Sequence, residues 1–344
     1  MLKPQLFLDC NAHLPTSQPS IDRFLELNQS LAGHGHPSAL AAPGRAAAKA
    51  LEEARVKIAQ LIGAKRPSQI VITNTCSEAC EWAVKILVKR YPEQIFQLSP
   101  FEHTAVRDPV FKYLGTGTPI MATNSKGYLE IKDTHSIVVH AQNEFGNIYP
   151  VMGIDLADMS QSLGKIPVDV TAMDVSMAVF AGHKVGGFNI GWLYLKDETW
   201  WTEFGTGSRY MMDRPGTPRV LETAATAVAV EEALRSLPER TANCLEFKKI
   251  LEPGLQELGY QIVGGEDRLP GTTFVFKEGA IMDLIRLGDA GIHVGLGSAC
   301  GSVSTGSSPS IRALGYQTNN QNFLRISNWG YGSKEAKQVL EALR

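Results

Sequence analysis

The sequence predicts an α/β protein, with a large domain built on a mainly parallel sheet covered by helices and a smaller α/β C-terminal domain. Short β-branched runs, such as Ile70–Thr73, alternate along the chain with longer amphipathic stretches. This alternation is typical of parallel sheets with helices on both faces. With 344 residues, of which 44% are hydrophobic and 20% charged, the chain is long enough for two globular domains.

Local patterns predict the elements of the large domain in chain order. Apolar residues recur at three- and four-residue spacing after a Pro-Gly pair, which predicts a helix over residues 45–62. The run Ile70–Thr73 predicts a buried strand, and Thr75 and Glu78 have the spacing of a capping box before a helix over residues 77–91. A further helix is expected at residues 103–114, and strands are expected at residues 95–98, 137–139, 177–180 and 190–195.

The second domain is expected to begin after a long stretch rich in Ala, Val and Glu. That stretch predicts a helix over residues 220–237, and Pro238 marks the predicted domain boundary. Residues 13–237 are therefore expected to form the large domain, and residues 238–344, together with residues 1–12, the small one. Helices of the small domain are expected at residues 245–258 and 334–343, and strands at residues 273–276 and 323–327.

The composition argues against several classes of function. The 33 Lys and Arg residues nearly balance 35 Asp and Glu residues, so no global basic field exists to hold nucleic acid or an anionic membrane. No apolar stretch approaches the roughly 18 residues of a membrane span, and the N-terminus does not resemble a secretory signal, so we expect a cytoplasmic protein. Five sparsely spaced cysteines indicate neither a disulfide framework nor a zinc site, and no metal is expected.

The dipeptide His183-Lys184 is the most informative pair in the chain. It stands between the apolar run at residues 177–180 and a glycine-rich segment that leads into a second apolar run. A lysine flanked by apolar strands is costly unless it is neutral or covalently engaged, and a Schiff base is one such engagement. No helix-forming stretch follows the glycines of residues 186–191, so they do not predict a dinucleotide site.

Nine short motifs occur in order along nearly the whole chain. They are Gly44-Arg45, Thr73-Asn74-Thr75-Cys76-Ser77-Glu78, Glu102-His103, Gln142-Asn143-Glu144, Asp158-Met159-Ser160-Gln161, Gly182-His183-Lys184, Arg214-Pro215-Gly216-Thr217, Gly297-Ser298-Ala299-Cys300 and Leu324-Arg325-Ile326-Ser327. Together they make the sequence resemble the class V aminotransferase family, and within it the cysteine desulfurases of the NifS and IscS type. The resemblance implies the fold type I of enzymes that depend on pyridoxal 5'-phosphate (PLP), with PLP as the cofactor.

The resemblance assigns residues to the ring of this cofactor. Lys184 matches the Schiff-base lysine, and Asp158 matches the carboxylate that keeps the pyridine nitrogen protonated. Gln161 is then expected to hydrogen-bond the ring oxygen. His103 matches an imidazole that stacks on the ring and carries protons.

Other residues match the phosphate site of the family. The backbone at Cys76 and the hydroxyl of Ser77 are expected to meet the phosphate at a helix N-terminus, with His183 as a third donor. Thr217 matches a residue that reaches the phosphate of the neighbouring subunit. The resemblance therefore implies a homodimer with shared sites.

The substrate and the sulfur also have candidate partners. Arg325 matches the guanidinium that grips the carboxylate of L-cysteine, and Asn143 is expected to assist at the carboxylate and the cofactor. Cys300, in a Gly- and Ser-rich loop of the small domain, matches the nucleophile that takes the substrate sulfur as a persulfide. Lys184, Cys300 and His103 are thus the expected catalytic residues.

Some positions depart from the family pattern. Ala41 stands where the family usually has His, and Ala181 stands where a phosphate-binding Ser is expected. The interval from Asn143 to Asp158 is too short for the usual helix plus strand, so one crossover helix is expected to be missing.

Three functions remain open on the sequence. The first is a PLP-dependent cysteine desulfurase that makes L-alanine and passes sulfur from Cys300 to a protein acceptor. That acceptor would be an iron-sulfur scaffold, a tRNA-thiolation protein or a DNA-phosphorothioation protein. The second is a cysteine or cystine carbon-sulfur lyase of the same fold, and the third is a degenerate, non-catalytic scaffold for sulfur transfer.

Overall fold

The computed structural model describes residues 5–131, 135–204, 216–297 and 307–344. Over these residues the chain forms two β-sheets and their covering helices. The strands are β1 (Leu6–Leu8), β2 (Ile70–Thr73), β3 (Gln97–Leu98), β4 (Ser136–Val139), β5 (Leu156–Asp158), β6 (Met177–Ala181), β7 (Gly191–Leu195), β8 (Gln261–Ile262), β9 (Thr272–Phe276), β10 (Ile292–Leu296) and β11 (Phe323–Ser327). The helices are α1 (Gln18–Asn28), α2 (Ala42–Leu61), α3 (Cys76–Arg90), α4 (Thr104–Tyr113), α5 (Thr199–Phe204), α6 (Val220–Arg235), α7 (Leu237–Glu257), α8 (Ala280–Asp289), α9 (Pro309–Ala313) and α10 (Ser333–Leu343).

The large sheet has the strand order β2-β7-β6-β5-β4-β3. Strands β3 to β6 run parallel, which confirms the predicted α/β class. Strand β7 is antiparallel to both of its neighbours, β2 and β6. The segment that joins β6 to β7 is too short for a crossover helix, so β7 returns in the opposite direction.

Helices cover both faces of this sheet. Alternate residues of β6 belong to different hydrophobic clusters. Ala178 and Phe180 pack towards α2 and α6, whereas Met177 and Val179 pack towards α3 and α4. Every residue of β6 is buried. Because both faces are occupied, the exposed end of the sheet is the place where polar side chains can gather.

Two connections depart from the usual strand-helix alternation. No helix stands between β4 and β5, although these strands are parallel neighbours, so the crossover helix is absent as the short interval predicts. At the start of α3, Thr75 Oγ1 accepts a hydrogen bond from the Glu78 amide, but the Glu78 carboxylate accepts from the Asn74 amide. The predicted capping pair therefore forms only in part.

The small sheet has the order β1-β10-β11-β9-β8, so its first strand comes from the N-terminal segment. The helix predicted at residues 245–258 begins earlier, because α7 starts at Leu237 and holds Pro238 in its first turn. Proline suits that position, where its missing amide hydrogen is not needed. Pro238 thus begins a helix, and the boundary at residues 237 and 238 stays a prediction. Within the described part of the chain, no helix is long and apolar enough to cross a membrane.

Candidate active site

A cavity of about 210 Å³ lies where the parallel strands of the large sheet end. Ligands of open α/β sheets bind at this edge, because loops and helix N-termini meet there. The wall contains side chains from the strand ends, from the first turns of α3 and α4, and from β11 of the small sheet. Its lining residues are Asn11, Ala12, Cys76, Ser77, Cys80, His103, Ala105, Asn143, Asp158, Ser160, Ala181, His183, Lys184 and Arg325.

Lys184 reaches the cavity from a tight turn. The buried strand β6 ends at Ala181, and a 3-10 turn over Gly182–Lys184 follows directly. Gly182 is required there, since a Cβ would lie 2.6 Å from the Phe188 carbonyl oxygen. The turn therefore places the Lys184 amine at the end of the sheet, beside the carboxyl end of β5.

Asp158 is the last residue of β5 and is only 6% exposed. Its Oδ1 accepts a hydrogen bond of 2.9 Å from the Ser160 amide, the single hydrogen-bond partner that the described residues give this carboxylate. A buried carboxylate needs further donors or a cation to offset its lost hydration. The site is thus suited to a ligand that presents a protonated nitrogen to Asp158.

His103 caps the N-terminus of α4, where its Nδ1 accepts a hydrogen bond from the Ala105 amide at 3.1 Å. Because Nδ1 is the acceptor, the proton of the neutral ring is carried on Nε2. Burial lowers the pKa of this imidazole, and the positive charge of Lys184 lowers it further. His103 therefore presents a neutral ring to the cavity near pH 7.

Donors for an anion gather at the N-terminus of α3. Cys76 and Ser77 occupy its first turn, where amides have no acceptor within the helix and the helix dipole favours negative charge. His183 adds an imidazole whose Nδ1 is buried without a partner in the described structure. Burial lowers the pKa of His183 to about 4, so this ring is also neutral.

Arg325 enters the cavity from the small sheet and is 1% exposed. Its Nη2 and Nε donate to Asp9 Oδ1 at 2.8 and 3.2 Å, and its Nη1 donates to the Asn143 carbonyl oxygen at 3.3 Å. Asp9 was not a predicted site residue, although an acid directly after the apolar run Leu6–Leu8 is a usable signal. The ion pair holds the guanidinium in place and offsets part of the cost of burying its charge.

The structure brings most of the sequence-predicted residues together. Those that line the cavity are Cys76, Ser77, His103, Asn143, Asp158, His183, Lys184 and Arg325. Gln161 is buried behind the wall, where its Nε2 donates to the Asn11 carbonyl oxygen at 2.7 Å and its Oε1 accepts from Lys165. Its expected contact with a ring oxygen stays a prediction.

Two predicted residues, Thr217 and Cys300, are not among the described residues that line the cavity. Thr217 is exposed and does not line the cavity of its own chain. Cys300 lies outside the described residues, but the residues on either side of that segment adjoin the site. A Cβ on Gly295 would lie 3.1 Å from Arg325 Nη2, and Ser308 Oγ donates to Glu144 Oε2 at 2.8 Å.

A larger cavity of about 590 Å³ lies beyond the Lys184 turn, between the N-terminal segment and helices α6 and α7. None of the described site residues lines it. The smaller cavity is therefore the candidate active site, because charge, donors and the turn lysine converge there.

Comparison with known proteins agrees with this site. A family model described as Aminotransferase class-V matches residues 6–339. The chain is 28% identical over 310 residues to the cysteine desulfurase NifS of Azotobacter vinelandii, covering 81% of this chain and 77% of the relative. It is 30% identical over 331 residues to an IscS-like cysteine desulfurase of Mycobacterium tuberculosis, covering 86% of this chain and 83% of the relative.

Solved structures give the same picture of the fold. A NifS-like protein superposes with a TM-score of 0.84 at 22% identity, and the match covers 98% of both chains. The structure described as SspA in complex with cysteine superposes with a TM-score of 0.77 at 25% identity, covering 95% of this chain and 99% of the other. The two likenesses extend over both sheets.

Proposed function

The chain belongs to the class V aminotransferase family, and from this premise we propose that it is a PLP-dependent cysteine desulfurase that converts L-cysteine to L-alanine. The observation that carries the proposal is the convergence of Lys184, Asp158, His103 and Arg325 on one cavity. Relatives named as cysteine desulfurases support it. A degenerate scaffold would have no need to keep a buried carboxylate, a turn lysine and a buried arginine together.

The residues of the cavity fit PLP. Its phosphate would be held by the first turn of α3 with Ser77, and by His183, whose buried Nδ1 otherwise has no partner in the described structure. Its ring nitrogen would meet Asp158, and Lys184 would supply the amine for covalent attachment. When bound, PLP supplies an electron sink for the α-carbon of an amino acid.

The side chains of this chain have separate tasks in that reaction. Arg325 would bind the substrate carboxylate with the donors that Asp9 and Asn143 leave free, and the ion pair with Asp9 fixes its direction. Lys184 and the neutral ring of His103 would carry protons between substrate atoms. Asp158 would accept a hydrogen bond from the protonated ring nitrogen that faces it.

Cys300 is the proposed sulfur acceptor. In the overall reaction the carbon-sulfur bond of L-cysteine breaks, a sulfur-sulfur bond to Cys300 forms, and the β-carbon gains a proton. L-Cysteine and one Cys300 thiol thus become L-alanine and one Cys300 persulfide, with no external oxidant. The positions of Gly295 and Ser308 support this role, because these residues lie beside the site and precede and follow Cys300 in the chain.

Partners belong to the same proposal. We infer a homodimer in which Thr217 of one subunit serves the site of the other, since Thr217 is exposed on its own chain and Ala181 offers no hydroxyl. The persulfide would pass to a protein acceptor of an iron-sulfur, tRNA-thiolation or DNA-phosphorothioation type. The cytoplasmic location stays a prediction from the sequence.

The test is product analysis with L-cysteine. Wild-type protein should form alanine and a protein-bound persulfide, and borohydride reduction followed by peptide mapping should place a pyridoxyl group on Lys184. The Cys300→Ser variant should bind cysteine but form almost no alanine, since a hydroxyl is a far weaker nucleophile towards sulfur than a thiolate. Cys244→Ser is the matched control, because Cys244 is buried in α7 away from the cavity.

Other products would contradict the proposal. Pyruvate in place of alanine, or sulfur release that survives Cys300→Ser, would indicate the carbon-sulfur lyase instead. A protein that retains PLP on Lys184 but produces neither alanine nor pyruvate would indicate the scaffold.

A further inference from the structure

Lys165 is a half-buried lysine that the proposed reaction does not use. It lies in the turns after β5, and its ammonium donates to Asn11 Oδ1 at 2.8 Å and to Gln161 Oε1. In the described part of the chain it pairs with no carboxylate. Both of its partners are neutral amides, which offset the lost hydration of a charge less well than a carboxylate does.

The ammonium determines how both amides are oriented. An ammonium group has three hydrogens and no acceptor, so it must face the oxygen of each amide. With Oδ1 of Asn11 on Lys165, Nδ2 turns to the Asn143 carbonyl oxygen at 3.2 Å and to Thr272 Oγ1 at 2.9 Å. With Oε1 of Gln161 on Lys165, Nε2 donates to the Asn11 carbonyl oxygen at 2.7 Å.

This set of hydrogen bonds ends at the proposed carboxylate site. The Asn143 carbonyl oxygen that accepts from Asn11 also accepts from Arg325 Nη1 at 3.3 Å. Two donors thus meet on one carbonyl, which has two lone pairs to offer. If the Asn11 amide turned over, its oxygen would face that carbonyl oxygen and repel it, and the Arg325 contact would loosen.

The electrostatics around Lys165 favour a donor role over an ion-pair role. Burial lowers the pKa of its ammonium to about 7, and the positive charge of Lys184 is the next cause. Arg325 and Arg240 lower it further, and only Cys10 acts in the opposite direction. With its pKa near 7 the amine loses its extra proton readily, yet the neutral amine still has the two hydrogens that its bonds to Asn11 and Gln161 use.

We propose that Lys165 is a positioning residue for the substrate carboxylate: it orients the amides of Gln161 and Asn11, and through Asn143 it holds the guanidinium of Arg325. The proposal rests on the function proposed above, because it assigns Arg325 to the carboxylate of L-cysteine. These hydrogen bonds connect the turns after β5 of the large sheet to β11 of the small sheet.

The test replaces Lys165 and separates binding from turnover. Lys165→Met keeps the length of the side chain but leaves two amide oxygens without a donor, so KM for L-cysteine should rise about tenfold with a smaller change in kcat. The Kd of 3-mercaptopropionate should rise by a similar factor in calorimetry, since this probe has a carboxylate and no amine. Lys165→Arg, which can only donate, should recover part of the affinity. Lys49→Met, at a lysine with a 77% exposed side chain, is the control.

A second variant covers the case in which Lys165→Met does not fold. Asn11→Asp keeps an oxygen for Lys165 but removes the donor to Asn143, so it should raise KM and the Kd of 3-mercaptopropionate in the same way. Unchanged KM and Kd in a folded variant of either residue would overturn the proposal. Failure of the proposed function is a different result, because wild-type protein would then form no alanine at all.

Discussion

Around the site, burial shifts the pKa of single side chains more than any ion pair does. His140 follows β4, is 5% exposed, and has a buried Nδ1 without a partner in the described structure. Its backbone amide donates to the Asp158 carbonyl oxygen at 2.9 Å, so it lies directly against the strand that ends in the proposed PLP carboxylate. Burial lowers the pKa of the His140 imidazole from 6.5 to about 4.

This shift predicts how stability depends on pH. Between pH 6.5 and 4 the unfolded chain binds a proton at His140 that the folded chain does not, so the stability from this residue is complete above pH 6.5 and is lost as the pH falls towards 4. The loss should amount to roughly 2–3 kcal/mol. In urea unfolding, His140→Gln should lose less stability than wild type over this interval. His34→Gln, at an exposed histidine, should follow wild type, and a His140→Gln curve parallel to wild type would contradict the assignment.

At the scale of elements, the sequence predicts best the strands and helices whose signal is local. The run Ile70–Thr73 predicts β2 with its observed bounds, because these four apolar or β-branched residues are followed, one residue later, by the helix-capping Thr75. Strand β5 has only three residues and ends in Asp158, so its sequence alone does not mark it as a strand. Its pairing with the neighbouring strands β4 and β6 defines it. The direction of β7 could not be predicted either, because a strand buried on both faces shows the same pattern in either orientation.

The contact between β7 and α3 is the element-level feature that shapes the anion site. Gly191 begins β7 and faces the first turn of α3, where a Cβ would lie 2.4 Å from the Cys76 nitrogen and 2.5 Å from the Thr75 carbonyl carbon. These are backbone atoms, which cannot turn away as a side chain would. The absence of a side chain at Gly191 therefore lets the N-terminus of α3 sit where the proposed phosphate needs its amides.

Gly191→Ala should weaken PLP binding by displacing those amides. We expect the Kd of PLP for the apoenzyme to rise by about tenfold or more, with a loss of roughly 1–3 kcal/mol in stability from the overpacking. Titration of the apoenzyme with PLP measures the Kd, and urea unfolding measures the change in stability. Gly288→Ala is the control, because a Cβ there meets no atom within 4 Å. An unchanged PLP affinity in Gly191→Ala would show that this packing does not position the α3 amides.

At the scale of the molecule, the site depends on how the two sheets meet. Asp9 follows β1, which pairs with β10, and Arg325 belongs to β11, so the small sheet builds the carboxylate end of a cavity whose other walls come from the large sheet. The family motifs point to Arg325 and Lys184, and both residues line the cavity. They did not predict the contacts that hold Arg325, since Asp9 and Asn143 are distant from it in sequence and only the folded chain brings the three residues together.

The proposed dimer extends this sharing of residues to a second chain, and a mixed dimer tests it. If Thr217 serves the neighbouring site, a dimer of one Lys184→Ala subunit and one Thr217→Ala subunit contains one site with both Lys184 and Thr217 intact. A lost hydrogen bond to a charged phosphate costs about 1.5–3 kcal/mol, so a Thr217→Ala homodimer should release PLP roughly ten- to a hundredfold more readily. After dilution, borohydride trapping on Lys184 reports retention at the Lys184-containing sites alone. The mixed dimer should then retain PLP as wild type does, whereas retention as low as in the Thr217→Ala homodimer would place Thr217 at the site of its own subunit.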